Sequence, residues 1–343
     1  MPKDGRLESI LNEAIQRRVF PGAVFAVGRS DRVEHVGAVG RLRYDSDTQA
    51  EPATLYDLAS LTKVVATTAA IMLLVEGGRL TLDAPAQSEL PEFPLKSVTI
   101  RQLLAHASGW PAYEQFFLHS RSRAELLAAL WATPAETAPG EKSVYSDLGF
   151  IALGVLVERA GGLSLDRFVR DRILRPLGMR DTRFNPPASL RDQIAPTEDD
   201  PWRGRVVHGE VHDENAFVLG GVAGHAGLFG AVTDLARFAQ VLLQGGGTLF
   251  RRATIEEFTR RIDFTSQPSS RALGWDTPAA GSSSGSKVSR RAYGHTGYAG
   301  TSMWIDPERD LFSILLTNRV HPTRNGPDIT PVRIAFHEGA VDG

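Results

Sequence analysis

Apolar positions recur along this chain with more than one period, and each period predicts a different element. Leu7, Ile10, Leu11, Ala14 and Ile15 fall at helical spacing, which predicts an amphipathic helix over about residues 6–19, broken by Pro21-Gly22. Ala23 to Val27 is a short unbroken apolar run and Val33 to Val39 a second. Gly28-Arg29-Ser30-Asp31 between them reads as the turn of a β-hairpin. Residues 41–56 are polar and loop-like. Val64 through Val75 then runs without a charge and is stopped by Gly77-Gly78. It is apolar on most faces, so a central helix with neighbours all round is predicted. It is shorter than the roughly 20 residues a bilayer requires.

Between about residues 80 and 200 turn residues punctuate short helical patterns: Ile100 to Ala105, Arg123 to Trp131, Phe150 to Arg159 and Leu165 to Ile173, ended by Pro176-Leu177-Gly178. Residues 185–216 read as a surface excursion. Thr233 to Leu243 is a helix with Thr233 as its expected N-cap, closed by Gly245-Gly246-Gly247. A second hairpin follows, Gly300 to Ile305 and Leu311 to Leu316 around Asp306-Pro307-Glu308-Arg309-Asp310. Two hairpins at opposite ends of the chain predict one antiparallel sheet flanked by helices, an α+β fold with an inserted, mostly helical lobe. The expected division is 1–57 with 225–343 for the sheet lobe and 58–224 for the helical lobe. The cleft between lobes is the default place for a site.

Composition narrows the function classes. The 343 residues are 42% hydrophobic and 23% charged, as in ordinary globular proteins. A net charge of −2 argues against nucleic acid or an anionic membrane as the main partner. With no cysteine, disulfides, thiolate metal sites and a cysteine nucleophile are excluded. No metal or other cofactor is expected. The N-terminal residues Met1 to Ser9 lack the apolar core of a signal peptide. The expected location is cytoplasmic for the chain as written, or periplasmic or secreted if a leader was removed.

Candidate chemistry begins where the apolar helix carries a charge. Lys63 lies in its first turn, and a buried unpaired ammonium is costly. Ser60, three positions earlier, shares its face. Desolvation lowers a lysine pKa, and a neutral amine beside a hydroxyl is a base beside a nucleophile. Alternatively, Ser60 is only an N-cap and Lys63 reaches solvent. Ser284-Gly285-Ser286-Lys287 repeats the Ser-x-x-Lys spacing, but in a Gly/Ser run that cannot seat a rigid helix. Tyr145-Ser146-Asp147 follows the turn at Pro139-Gly140. Its phenol is a candidate proton relay to Ser60; alternatively the tyrosine packs and Ser146 and Asp147 cap a helix. In His295-Thr296-Gly297 a polar edge-strand residue is suited to a substrate carboxylate, and the glycine admits close backbone approach. The next N–H, of Tyr298, is placed to join that of Ser60 as an oxyanion hole.

Taken in order, Ser60-x-x-Lys63, Tyr145-Ser146-Asp147 and His295-Thr296-Gly297 resemble the penicillin-recognising serine enzymes: class C β-lactamases, serine DD-peptidases and related esterases. Leu103 to Trp110, Pro176-Leu177-Gly178-Met179 and Gly227-Leu228-Phe229 are similar to family landmarks, so the resemblance covers roughly residues 7–320. It implies Ser60 as the acylated nucleophile, Lys63 as its proton acceptor and Tyr145 as co-base and leaving-group donor. Asp147, Thr296, Gly297 and His295 fall at substrate-binding positions. Asp147 stands where the family usually has Asn, and a carboxylate there can pair with Lys63 and raise its pKa. His295 stands in place of the usual Lys, which weighs against a dedicated β-lactamase. The region of Trp110 and Tyr113 lines the cleft or belongs to the core. The expected activity is hydrolysis of a small ester, amide or peptide through an acyl-enzyme. The alternative is a catalytically weak protein that binds penicillin or a cell-wall fragment. His208-Gly209-Glu210-Val211-His212 is not H-E-x-x-H and reads as a polar loop. The stretch through Gly224-His225 is a candidate wall of the cleft, and His106 a structural hydrogen-bonding group.

Overall fold

The computed structural model describes residues 5–263 and 269–343. Met1 to Asp4, part of the N-terminal stretch read above, lie outside the described residues. The chain opens with α1 (Arg6–Gln16) and the hairpin β1 (Gly22–Gly28) and β2 (Val33–Gly40). A short β3 (Tyr56–Asp57) leads into the central helix. That helix starts as a π-helical segment, Lys63–Thr68, and continues as α2 (Ala69–Glu76). The helical region holds α3 (Ile100–Leu104), α4 (Arg123–Ala132), α5 (Asp147–Gly161) and α6 (Leu165–Val169). The surface excursion carries the two-residue strands β4 (Arg183–Phe184), β5 (Asp199–Asp200) and β6 (Arg205–Val206), then α7 (Glu214–Val218) and β7 (Leu228–Gly230). The rest is α8 (Val232–Leu243), α9 (Arg252–Thr259), β8 (Tyr293–Thr296), β9 (Ser302–Asp306), β10 (Leu311–Thr317) and α10 (Thr330–Asp342).

The main sheet has strand order β2-β1-β10-β9-β8, all antiparallel, and is built from both ends of the chain. β1, β10 and β9 are its inner strands, with Ala23 of β1 opposite Thr317 of β10 and Phe25 opposite Leu315. Period-2 geometry sends successive side chains to opposite faces. Ala23, Phe25 and Val27 pack under α1 and α10 with Leu11, Phe20 and Phe336. Val24 and Ala26 face the large core with Phe238 of α8. Burial on both faces explains why β1 reads as a continuous apolar run rather than an alternating one. A second sheet, β3-β7-β4, joins the entry to the central helix with the far end of the surface excursion.

Three local expectations change. Thr233 does not cap α8: Ala231 is still extended at φ −91°, ψ 152°, so the helix begins at Val232 and Thr233 lies within its first turn. His295 and Thr296 do not merely approach the strand from Gly300; they form their own edge strand, β8, in register with β9. Trp110 belongs to the core, with Nε1 donating to the Thr133 carbonyl at 2.9 Å, whereas Tyr113 lines the cleft. No single helix among the described residues is long and apolar enough to cross a membrane.

Candidate active site

The turn that presents Ser60 is clamped from several sides. Ala59 adopts φ +46°, a left-handed conformation that costs an L-residue about 1–2 kcal/mol. Its N–H donates to Asp57 Oδ1 at 2.8 Å, and the other Asp57 oxygen accepts the His212 N–H at 2.7 Å. The Leu58 N–H donates to the Leu228 carbonyl at 2.9 Å, and the Leu58 carbonyl accepts the Thr301 hydroxyl at 2.9 Å. Strain at one residue is thus held by hydrogen bonds from three distant parts of the chain.

Lys63 is fully buried beneath Ser60. Its Nζ donates to Ser60 Oγ at 3.0 Å, Asp147 Oδ1 at 2.6 Å and the His225 carbonyl at 3.2 Å. Burial pulls this ammonium toward neutrality, as expected from the sequence. The charges of Asp147 and Tyr145 outweigh it, and the pKa lies above the ordinary lysine value. The lowered lysine pKa read from the apolar helix alone is therefore corrected: the resting amine is ionised because Asp147 is its partner.

Tyr145 is delivered by the loop before α5. Ser146 caps that helix, accepting the Gly149 N–H at 3.4 Å while donating to the Pro111 carbonyl at 2.7 Å. The Ser146 N–H donates to His106 Nδ1 at 3.0 Å, so His106 orients the loop. The Tyr145 phenol lies beside Ser60 and Lys63, within electrostatic reach of both, and the ammonium lies 4.8 Å from its ring centroid. Burial pushes the phenol pKa up against the pull of Lys63.

His295 comes from β8, its ring 5.8 Å from that of Tyr145. Its Nδ1 is 2.7 Å from the Thr296 carbonyl, which assigns the ring proton to Nδ1 and leaves Nε2 with a lone pair and no partner among the described residues. Burial, with Lys63 and Arg271 nearby, holds its pKa far below the ordinary value. His295 is neutral, and the charge for a substrate carboxylate must come from elsewhere. Arg271, Arg319, Arg324 and Arg333 line the same cleft. Gly297 is required by space: a Cβ there would lie 2.1 Å from Thr301 Oγ1 and 2.6 Å from the Leu58 carbonyl. A Gly297→Ala variant is expected to stay folded but lose about 10²-fold in kcat, because the loop bearing the Tyr298 N–H must move. Steady-state kinetics beside a thermal melt would check this. The backbone N–H groups of Ser60 and Tyr298 have no hydrogen-bond partner among the described residues, and both residues line the cleft.

The cleft holds about 770 Å³ and brings together Ser60, Tyr145, Asp147, His295, Thr296, Gly297 and Tyr298, with Lys63 under its floor. Its far wall is the segment around His212, Asp213 and His225. His225 Nε2 meets Asp213 Oδ1 at 2.8 Å. Burial raises the Asp213 carboxyl, but the His225 charge and hydrogen bond overcome this and hold it well below the usual carboxylate range. The second Ser-x-x-Lys stretch makes no such site. Ser284 donates to the Gly285 carbonyl and Lys287 pairs with Asp342. Two residues escaped the sequence reading. Arg271 pairs with Asp276 and sits 5.1 Å over the Tyr145 ring, and it had no motif to mark it. Asp213 directly follows the His208–His212 loop and likewise had no motif to mark it.

Comparison with known proteins identifies the family. The family model described as Beta-lactamase matches residues 7–337. A putative D-alanyl-D-alanine carboxypeptidase of Escherichia coli (strain K12) is 35% identical over 329 residues, covering 85% of this chain and 75% of the relative. Among solved structures, EstCE1, described as a hydrolase with promiscuous acyltransferase activity, superposes with a TM-score of 0.80 at 21% identity, covering 99% of this chain and 98% of that one. A class C beta lactamase from Rhodobacter sphaeroides gives a TM-score of 0.76 at 19% identity, covering 97% and 98%. The structural likenesses match the antiparallel sheet and its helical flanks. The chain belongs to the beta-lactamase family and is a serine hydrolase that works through an acyl-enzyme.

Proposed function

We propose that Ser60 is the acylated nucleophile and that the preferred substrate is a small peptide whose leaving group carries a free carboxylate, a carboxypeptidase-type reaction. The observation that carries this reading is the meeting of Ser60 Oγ with Lys63 Nζ at 3.0 Å and with the Tyr145 phenol, at the mouth of a cleft with two free backbone N–H groups. Attack by Ser60 puts charge on the carbonyl oxygen, which the N–H groups of Ser60 and Tyr298 receive. Tyr145 protonates the leaving nitrogen or oxygen. Water then releases the acyl group. The carboxylate preference is supported by four guanidiniums in the cleft, those of Arg271, Arg319, Arg324 and Arg333, and by the name of the Escherichia coli relative.

Incubation with a fluorophosphonate, followed by peptide mass mapping, is expected to place one adduct on Ser60. Release of D-alanine from a peptide ending in D-Ala-D-Ala, compared with turnover of a neutral aryl ester, then ranks the substrates. An adduct elsewhere, or none, would reject the nucleophile.

Arg271, which pairs with Asp276 and lies over the Tyr145 ring, is the guanidinium we assign to the substrate carboxylate; Arg324 is held by Glu198 and Glu214. Arg333 Nη2 is spent on the Gly297 and Thr301 carbonyls at 2.7 and 2.9 Å, and Arg319 Nε on the Tyr298 carbonyl at 3.0 Å. Arg271→Gln is expected to raise KM about tenfold for a carboxylate-bearing peptide, the loss of one charge-assisted contact, and to leave neutral-ester turnover within about twofold. Equal effects on both substrates would deny Arg271 this role.

A further inference from the structure

Lys63 cannot take the Ser60 proton as it stands. Its three ammonium protons have three acceptors, Ser60 Oγ, Asp147 Oδ1 and the His225 carbonyl, and a nitrogen so engaged has no lone pair. The shortest of these contacts, 2.6 Å, runs to a carboxylate only partly exposed, while the ammonium itself is fully buried. A direct lysine base would first have to lose a proton from a site with no exposure to water.

We propose that Asp147 is the terminal proton acceptor of acylation, acting through Lys63. As Ser60 Oγ bonds to the substrate carbonyl carbon, its proton passes to Lys63 Nζ. In the same event Lys63 gives one of its own protons to Asp147 Oδ1. The serine O–H bond breaks and a C–O bond forms, and the carbonyl π electrons move onto the oxygen held by the N–H groups of Ser60 and Tyr298. Lys63 remains an ammonium throughout and Asp147 becomes a carboxylic acid. When the intermediate collapses, the Tyr145 phenol protonates the leaving group as its bond to carbon breaks. The Asp147 proton then returns through Lys63 to the phenolate. Asp147 is the first residue of α5 and stays 2.6 Å from Lys63 Nζ, so the proton has a short path back and the relay resets. Asp147 touches no substrate in this scheme; it positions Lys63 and empties it. The relay rests on the assignment of Ser60 as nucleophile.

The groups facing the Lys63–Asp147 pair are Tyr145 from the same loop, Tyr113 across the cleft, Asp213 and His225 from the far wall, and His106, His295 and Arg271 beyond Tyr145. None is altered in Asp147→Asn or Asp147→Glu. With Asn the lysine loses its counter-charge, and activity must wait until Lys63 itself deprotonates. The acid limb of kcat/KM is therefore expected to move up by at least about one pH unit, with about a tenfold loss near pH 6 that recovers toward alkaline pH. Asp147→Glu should return the limb toward its original position. In mixed H₂O and D₂O the proton inventory should be curved for the native protein and linear for Asp147→Asn. A limb that does not move, a loss equal at every pH, or an effect confined to KM would overturn the relay and leave Asp147 a substrate contact or a structural group. Fluorophosphonate labelling of Ser60 and a thermal melt accompany each variant. A native-like melt, with Ser60 still labelled to completion but more slowly at acid pH in Asp147→Asn, confines the change to the relay. Absence of a Ser60 adduct in the native protein would instead reject the nucleophile assignment, and the relay with it.

Discussion

Ser60→Ala is expected to abolish both covalent labelling and turnover, with kcat/KM falling by about 10⁴-fold or more. The size follows from geometry. Ser60 Oγ is the atom that Lys63, at 3.0 Å, and the Tyr145 phenol both address, and Thr296 beside the cleft cannot stand in for it without leaving β8. The fold should survive, since only one hydroxyl is removed from a surface that already faces the cleft. Turnover of a chromogenic ester, intact-protein mass after fluorophosphonate, and a thermal melt together test the assignment. Retention of more than a few per cent of activity with a native melt would mean that another nucleophile does the work.

Tyr145→Phe is expected to produce the next largest loss, and a loss that depends on the leaving group. An amide nitrogen must be protonated before it departs, whereas an activated phenol leaves as an anion. The variant should lose about 10²–10³-fold on a peptide and only about tenfold on an aryl ester. Phenylalanine keeps the packing of the ring against His106, whose centroid is 4.7 Å away, so stability should change little. Equal losses on both substrates would shift the tyrosine's part from proton donor to proton acceptor in the attack. No loss on either would remove it from the chemistry.

Much of the fold was legible because burial imposes simple periods. The five-residue apolar run in β1 and its partner in β10 announced themselves, and Gly77-Gly78 marked a real end, whereas α1 stops at Gln16, ahead of Pro21-Gly22. The short strand β8 was not legible: Tyr293-Gly294-His295-Thr296 has no alternation to count, and it is a strand only because β9 lies beside it. The π-helical start at Lys63 was hidden for a related reason, since period-based reading sees a helix but not its hydrogen-bond step. The helix-cap residues divided. Ser146 caps α5, but Thr233 does not cap α8 because that helix starts earlier, at Val232, with Ala231 in the N-cap position.

The site divides along the same line. The motifs single out Ser60, Lys63, Tyr145 and His295, which meet at the cleft, and the pairing of Asp147 with Lys63 was weighed from charge alone. What sequence spacing does not convey is which contact prevails. Desolvation and an ion pair push the lysine in opposite directions, and only a 2.6 Å separation decides for the pair. Arg271 and the Asp213–His225 pair reach the cleft through tertiary folding from stretches with no recognisable spacing.

The sheet that carries β8 is closed by strands from both ends of the chain, and Thr301 holds the Leu58 carbonyl next to the nucleophile. A nascent polypeptide leaving the ribosome therefore exposes Ser60 long before the parts that arm it have been made. The central helix can form early, but the clamp on its first turn waits for translation to pass residue 301, and the inner pairing of β1 waits for Thr317. Hydrolytic power switches on late in synthesis, so an unfinished chain is an inert one.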